Sequence, residues 1–503
     1  MMQSINKFRE NFSSNLKSNQ VMLLVALLSL ISRLAIQVKY SGARFYYPDS
    51  WDYVVIPSQL GPPRSFHPPT VWKFWQIFTF GSPSESHVLI IQAGLGVVTT
   101  VLVYKILSQF LSIGKSLILT VIYILTPWQY FFERNFLPES VSLFFVVLLF
   151  YIYQQIPRQK SNRVHIALAI FAALILGTLV CLKPLYSVFS ILGLILLIVR
   201  IYILDQKNFT SKFIISSLCV LTACIPVATL STVYFKNYGV FSTSPASGSF
   251  LITRWANLVS CKNSGLEQQL VVRNVVNIVC ERQVGQIPGQ STNLLFLEPD
   301  VGATLQSQAD FSNIQKKLQL IVLSAILSNS VEFFHQLGEA FIYPFVNKSL
   351  PEDLLIYKGG GDFSSSSVVK ENFANYETWF DVQTNLSSEA EREDEIRKIM
   401  SASSGLPNFI FFFALGLWIL VSLRGIKTNK VRNSKFRNWR ITSLVHSDYT
   451  ILIIYVVAVQ SMLAATSVIN FRLYFSFIPV WIILIGRLIS GQSSKERESA
   501  LTT

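Results

Sequence analysis

Long apolar runs alternate with short polar breaks along the first half of the chain. Runs of about 20 residues can cross a bilayer as helices. They fall near 21–38, 87–110, 115–132, 138–156, 164–182, 185–203 and 213–235. A mostly polar stretch, 236–406, follows, and further apolar runs lie near 407–423, 449–467 and 474–490. The pattern predicts an all-α integral membrane protein of about ten transmembrane helices. It divides the chain into an N-terminal transmembrane module (1–235), a large extramembrane region (236–406) and a C-terminal transmembrane module with a tail (407–503).

The breaks carry their own patterns. Ser65–Phe78 places Trp72, Phe74, Trp75 and Phe78 among few charges, which predicts a short helix in the membrane interface within the first outer loop, 39–86. Leu318–Phe345 is apolar but interrupted by Asn329, Glu332, His335 and Glu339. It reads as an amphipathic interfacial helix rather than a crossing. Lys358–Val369 is rich in Gly and Ser and reads as a flexible loop, and Ser387–Met400 has the charge pattern of a solvated helix. No internal repeat is visible.

Composition agrees with lipid as the solvent. Of 503 residues, 51% are hydrophobic and only 14% charged, against about 25% in a soluble domain, and the mean hydropathy is +0.44. A net charge of +14 would suggest nucleic acid in a soluble protein, but no zinc-type Cys/His spacing, nucleotide loop or basic-aromatic motif accompanies it. The positive-inside rule accounts for it instead. With the N-terminus cytoplasmic, the inner loops hold Lys115, Arg158, Lys160, Arg163, Arg200, Lys207, Lys212 and the run from Arg424 to Arg440, while the short outer turns hold few basic residues. Both termini are therefore expected inside, with the run at 424–440 a topology anchor against anionic lipid. Of the five cysteines, only Cys261 and Cys280 share a loop. They form a disulfide there or remain free thiols.

This topology gathers seven charged residues on the outer face: Asp49, Asp52, Glu133, Arg134, Glu139, Lys183 and Arg472. Ionisable groups at membrane depth are costly and usually serve a purpose. Bland readings exist for several. Asp52 could be solvated, Glu133 and Arg134 could pair with each other, and Lys183 could snorkel to the surface. Asp49 and Glu139 each sit beside a proline that fixes the local backbone. Carboxylates and cations together at this depth suit transfer of a sugar from a polyprenyl phosphate. A carboxylate takes the proton of the acceptor hydroxyl, and cations hold the departing phosphate.

In order, these residues resemble the polytopic GT-C glycosyltransferases, in particular the bacterial branch related to protein mannosyltransferases and aminoarabinose transferases. The resemblance rests on Asp49, Ser50 and Tyr53 after the first span, His67-Pro68-Pro69, Pro138-Glu139-Ser140, Lys183-Pro184, Lys236-Asn237-Tyr238 before a Ser/Gly-rich run, and Arg472 with Tyr474 ahead of the last span. It implies an inverting transfer from a polyprenyl-phosphate sugar to a glycan, lipid or protein acceptor on the extracytoplasmic face of a plasma membrane. Asp49 would be the base, assisted by Glu139 and Asp52, while Arg44, Tyr53, His67, Lys183, Lys236, Arg472 and Tyr474 would bind substrate. Ser50 stands where an acidic residue is common, and Lys183 and Lys236 stand where Arg is common; Lys supplies a point charge rather than a bidentate fork. No residue is assigned to a metal, and a divalent cation is open but not required. The competing readings are a transporter of lipid-linked glycans, which predicts charges near the bilayer midplane, and an assembly protein without chemistry. Asn347 and Asn385 begin glycosylation sequons, so the endoplasmic reticulum is the alternative membrane.

Overall fold

A computed structural model of the chain describes residues 18–39, 70–81, 85–134, 137–159, 161–204, 209–245, 247–259, 270–281, 311–346, 448–466 and 478–490. In chain order the helices are α1 (Ser18–Lys39), α2 (Thr70–Phe78), α3 (Glu85–Ser108), α4 (Ile113–Ile124), α5 (Pro127–Glu133), α6 (Pro138–Gln155), α7 (Asn162–Leu182), α8 (Ser187–Leu204) and α9 (Phe209–Tyr238). They continue as α10 (Ser247–Arg254), α11 (Leu270–Glu281), α12 (Phe311–Ser328), α13 (Ser330–Val346), α14 (Asp448–Thr466) and α15 (Ile478–Ile489). No strand occurs among the described residues.

Six of these, α1, α3, α6, α7, α8 and α9, are long and apolar enough to cross a membrane. Their burial pattern identifies the solvent. On α1, Leu23 and Ile31 are each 60% exposed, whereas Ser29 is wholly buried and Arg33 is 4% exposed. Water would favour the reverse. Lipid accepts the leucines and leaves the polar groups to find partners inside the bundle. The chain is an all-α, multi-pass membrane protein. Expected spans at 21–38, 87–110, 138–156, 164–182, 185–203 and 213–235 coincide with these helices. The run at 407–423 lies outside the described residues.

The run at 115–132 is in two pieces. α4 stops at Ile124 and α5 begins at Pro127. Pro127 has no amide hydrogen and pushes the preceding residue out of the helical region. The carbonyls freed at the break are satisfied locally. The Gln129 amide donates to Tyr123 O at 2.9 Å and Ile124 O at 3.0 Å, and the Tyr130 hydroxyl donates to Ile124 O at 2.5 Å. Backbone out of helix at membrane depth is tolerated only with such replacement partners.

The main core is a single cluster drawn from α2 to α8 together with α9, α13, α14 and α15. α7 lies between α6 and α9, and α3 lies between α1 and α6. α14 closes the bundle against α8 by placing Tyr455 edge-on to Phe150 at 5.6 Å and Phe189 at 4.9 Å. α15 packs on α3 and α4. α2 packs against the bundle. It forms within the predicted stretch, but Val71 and Trp75 are wholly buried in the main core, with α2 packed on α3 and α7. A helix only 9 residues long has a narrow apolar stripe, and that stripe is taken up by protein, leaving Ile77 and Phe78 exposed.

A second, smaller cluster joins α10, α11 and α12 beyond the end of α9, around Ile252, Trp255, Val272, Ile314, Leu318 and Val322. Gly248 permits the closest approach there: a Cβ on it would lie 2.2 Å from Gln315 O. The Gln315 side chain accepts from Ser249 N at 3.0 Å and donates to Ser249 Oγ at 2.7 Å. Cys181, Cys219 and Cys224 are free thiols; Cys261 lies outside the described residues, as does the side chain of Cys280.

α7 and α9 touch through Gly177, where a Cβ would stand 2.2 Å from Ala223 O. Because that neighbour is backbone, Gly177→Ala is expected to force the helices apart and to destabilise by about 1–3 kcal/mol. A Cβ at Gly94 meets nothing, so Gly94→Ala is expected to be neutral or slightly stabilising. Thermal unfolding of both variants in one detergent checks the contrast.

Candidate active site

Several of the buried polar residues, Arg33, Glu133, Arg134, Glu139 and Lys183 among them, lie toward the end of the bundle where α1 and α7 finish and α6 begins. Three polar links define that end. The first is an ion pair between α1 and α5. Arg33 Nε donates to Glu133 Oε2 at 2.8 Å, and Arg33 Nη2 donates to Glu133 Oε1 at 2.6 Å. Nη1 donates to Ser29 O at 3.1 Å, and Nη2 also reaches Gln129 Oε1 at 3.3 Å. The Tyr130 ring lies 5.2 Å from the guanidinium carbon. Gly96 of α3 makes the space: a Cβ there would fall 2.0 Å from Glu133 Oε1 and 2.5 Å from Arg33 Nε.

The second link is Arg134 Nη1 donating to Gln37 Oε1 at 2.7 Å. Glu133 and Arg134 thus do not pair with each other, against one of the readings open from the sequence. Consecutive helical positions do not face one another, and each side chain takes a partner on α1 instead.

The third link is the candidate site itself. Pro138 occupies the first turn of α6 after the extended residue Leu137, and Glu139 follows it. Proline suits that position, and a carboxylate there is favoured by the helix dipole. Across the bundle Lys183 ends α7 in an extended conformation (φ −149°, ψ 119°). Pro184 requires that conformation of the residue before it. The two prolines bring the side chains together, and Lys183 Nζ lies 2.6 Å from Glu139 Oε1 with both groups buried. Beside them the Ser140 hydroxyl donates to Gln92 Oε1 of α3 and reaches Phe132 O at 3.3 Å. A carboxylate and an ammonium so placed neutralise one another while dry. An incoming anion that takes the ammonium releases the carboxylate to accept a proton or a hydroxyl hydrogen bond.

Of the residues proposed from the sequence, the structure brings Glu139 and Lys183 together. Lys236 is exposed near the end of α9. Arg44, Asp49, Asp52, Tyr53, His67, Arg472 and Tyr474 lie outside the described residues. Among the described residues no three His, Cys, Asp or Glu side chains gather as metal ligands would. Sequence reasoning missed Gln92, Gln129 and the role of Arg33. A buried Arg254 was missed as well: its guanidinium sits 4.6 Å from the Trp255 ring, and burial pulls its pKa down to about 10. An Arg inside an apolar run was a visible signal, and it applied to Arg33 and to Arg200, which is buried in α8.

No protein-family model matches the chain, and no curated protein matches its sequence. Two solved structures of the Archaeoglobus fulgidus oligosaccharyltransferase are similar to it. The one in complex with zinc and sulfate aligns with a TM-score of 0.31 and 13% identity over 93% of this chain and 53% of that chain. The apo form aligns with a TM-score of 0.34 and 14% identity over 89% and 56%. The chain thus spans about half the length of these structures.

Removing one member of a buried ion pair costs about 3–5 kcal/mol, because the other is left charged and alone. Arg33→Met and Glu133→Gln are each expected to lower the thermal midpoint sharply. The double variant is expected to be more stable than the sum of the two losses. A double-mutant cycle by thermal unfolding measures this coupling.

Proposed function

We propose that this protein is a membrane glycosyltransferase of the GT-C type that moves a sugar from a polyprenyl-phosphate donor to a glycan, lipid or protein acceptor on the extracytoplasmic face, with inversion. The observation that carries the reading is the buried Glu139–Lys183 pair at one end of a transmembrane bundle. That end is where a lipid-linked phosphate would present its sugar. The donor phosphate takes Lys183 and, with it, Arg472. Glu139 is then free to orient the acceptor, while Asp49 removes the proton of the attacking hydroxyl. The hydroxyl oxygen bonds to the anomeric carbon as the bond to the phosphate oxygen breaks, and the polyprenyl phosphate leaves with the electron pair. Asp52, Arg44, Tyr53, His67, Lys236 and Tyr474 complete the substrate contacts in this reading. The distribution of basic residues supports cytoplasmic termini in this reading. The partition into modules 1–235, 236–406 and 407–503 is kept as the organisation of catalytic bundle, acceptor region and closing helices.

One observation favours a second reading. Arg33 lies roughly 9 Å short of the end of α1 at 1.5 Å per residue, and its pair with Glu133 is buried within the bundle. Charged pairs inside spans are common in transporters, so a carrier of lipid-linked glycans is the alternative.

The test is transfer by the purified protein in lipid, with a panel of radiolabelled polyprenyl-phosphate sugars and a cell-envelope extract as acceptor. Wild type is expected to transfer one of them. Folded Asp49→Asn is expected to lose about 10²-fold or more in turnover, as loss of a general base does, and folded Glu139→Gln is expected to lower turnover through a misoriented acceptor. Movement of labelled lipid across the bilayer without transfer would favour the carrier, and undiminished transfer by Asp49→Asn would remove Asp49 as the base.

A further inference from the structure

α12 and α13 meet at Asn329 and are bent there by 101°. The bend is fastened rather than frayed. The Asn329 amide donates to Leu258 O at 3.2 Å and Ala325 O at 3.1 Å. Phe333 N donates to Asn329 O at 2.9 Å, and the Phe333 ring packs 4.6 Å from that of Trp255. The inner face of α12 is spent on the small core with α10 and α11. Its opposite face carries Leu320, Leu323 and Leu327, at helical spacing, and Val331 and Phe334 continue the stripe around the bend. All five are exposed, Leu327 by 71% and Val331 by 84%. The adjoining face of α13 is polar: Gln336 Nε2 donates to Glu332 Oε1 at 2.6 Å, and His335 faces Glu339 at 3.8 Å. The stripe therefore has a sharp polar border.

Its place in the fold is fixed at both ends. α12 starts beside the end of α9, where the Tyr238 and Phe311 rings are 6.1 Å apart. That is the Lys183 end of the bundle, since Tyr234 and Cys181 share a cluster. α13 returns to the transmembrane core, where Ala340 is buried and Leu337 packs against it. We propose that the α12–α13 elbow is a re-entrant element, inserted into the lipid leaflet at the Lys183 end with its apolar stripe among the acyl chains and its Glu332/Gln336 face toward the headgroups. A straight pair of this length could cross the bilayer. The 101° bend turns the chain back, and the break meets the requirement that backbone at such depth be satisfied by protein. A second copy of the chain is a poorer occupant. A stable interface needs about 800 Å² per partner, and this stripe is five side chains folded around a bend. Lipid, by contrast, already surrounds the bundle in which both ends of the elbow are anchored. The inference stands apart from the transferase reading.

Two measurements test it. Spin labels on Leu327→Cys, Val331→Cys and Gln336→Cys, in a background with the five native cysteines replaced and reconstituted in phosphatidylcholine/phosphatidylglycerol nanodiscs, report accessibility to oxygen and to a water-soluble nickel chelate. The first two are expected to favour oxygen and exclude nickel, and the third to do the reverse. On the unsubstituted protein, a phospholipid bearing an acyl-chain diazirine is expected to label the segment around Leu327 and Val331. Nickel access at Leu327 and Val331 equal to that at Gln336, absence of photolabel there while α9 is labelled, or dipolar coupling between labels on two copies with both reagents excluded would each overturn the proposal.

Discussion

An arginine facing away from lipid has to be given a place inside the protein, and the rest of the bundle is arranged around the place given to Arg33. Its guanidinium is met by a carboxylate from α5, a carbonyl and hydroxyl from α1 itself and an amide from α5. Gly96 of α3 withholds a side chain where one would strike both members of the pair. Three helices are thereby held in one register. The fork geometry of Arg suits this better than Lys would, because two parallel donors fix direction as well as distance. α5 runs within a few residues into α6, so the same constraint sets where Glu139 emerges.

Proline does the complementary work of ending helices where side chains are needed. Pro127 breaks the third apolar run and lets Gln129 and Tyr130 fold back on the carbonyls it frees. Pro138 starts α6 so that Glu139 occupies its first turn. Pro184 holds Lys183 extended at the end of α7. The result is a buried carboxylate and ammonium in contact at 2.6 Å.

The region beyond α9 is polar in composition, yet its described helices are not a detached domain. α10, α11 and α12 share a small core of their own, and α13 returns from it to the main core. Polar residues at Asn329, Glu332, His335 and Glu339 lower the mean hydropathy of the stretch without removing its apolar stripe. Averaging over residues conceals a face, and the face decides what the helix touches.

The helices were legible in the sequence because lipid imposes length and apolarity on any crossing segment, and six expected crossings stand within a few residues of their predicted bounds. Glu139 and Lys183 were legible as candidates for a local reason, a charged residue beside a proline at a span end. Their contact was not, because they come from helices 44 residues apart in sequence. Pairing of Glu133 with its neighbour Arg134 was one reading open from the sequence, and Glu133 instead takes a partner 100 residues away. Trp75 is wholly buried where its helix packs on α3 and α7, a contact that the aromatic pattern of its own segment did not disclose. The sequence by itself determined which segments must be helical and immersed, through the cost of exposed backbone in lipid. Only the tertiary structure decided which buried charges meet, because pairing depends on the relative rotation and depth of helices, and those are set by packing among residues far apart in the chain.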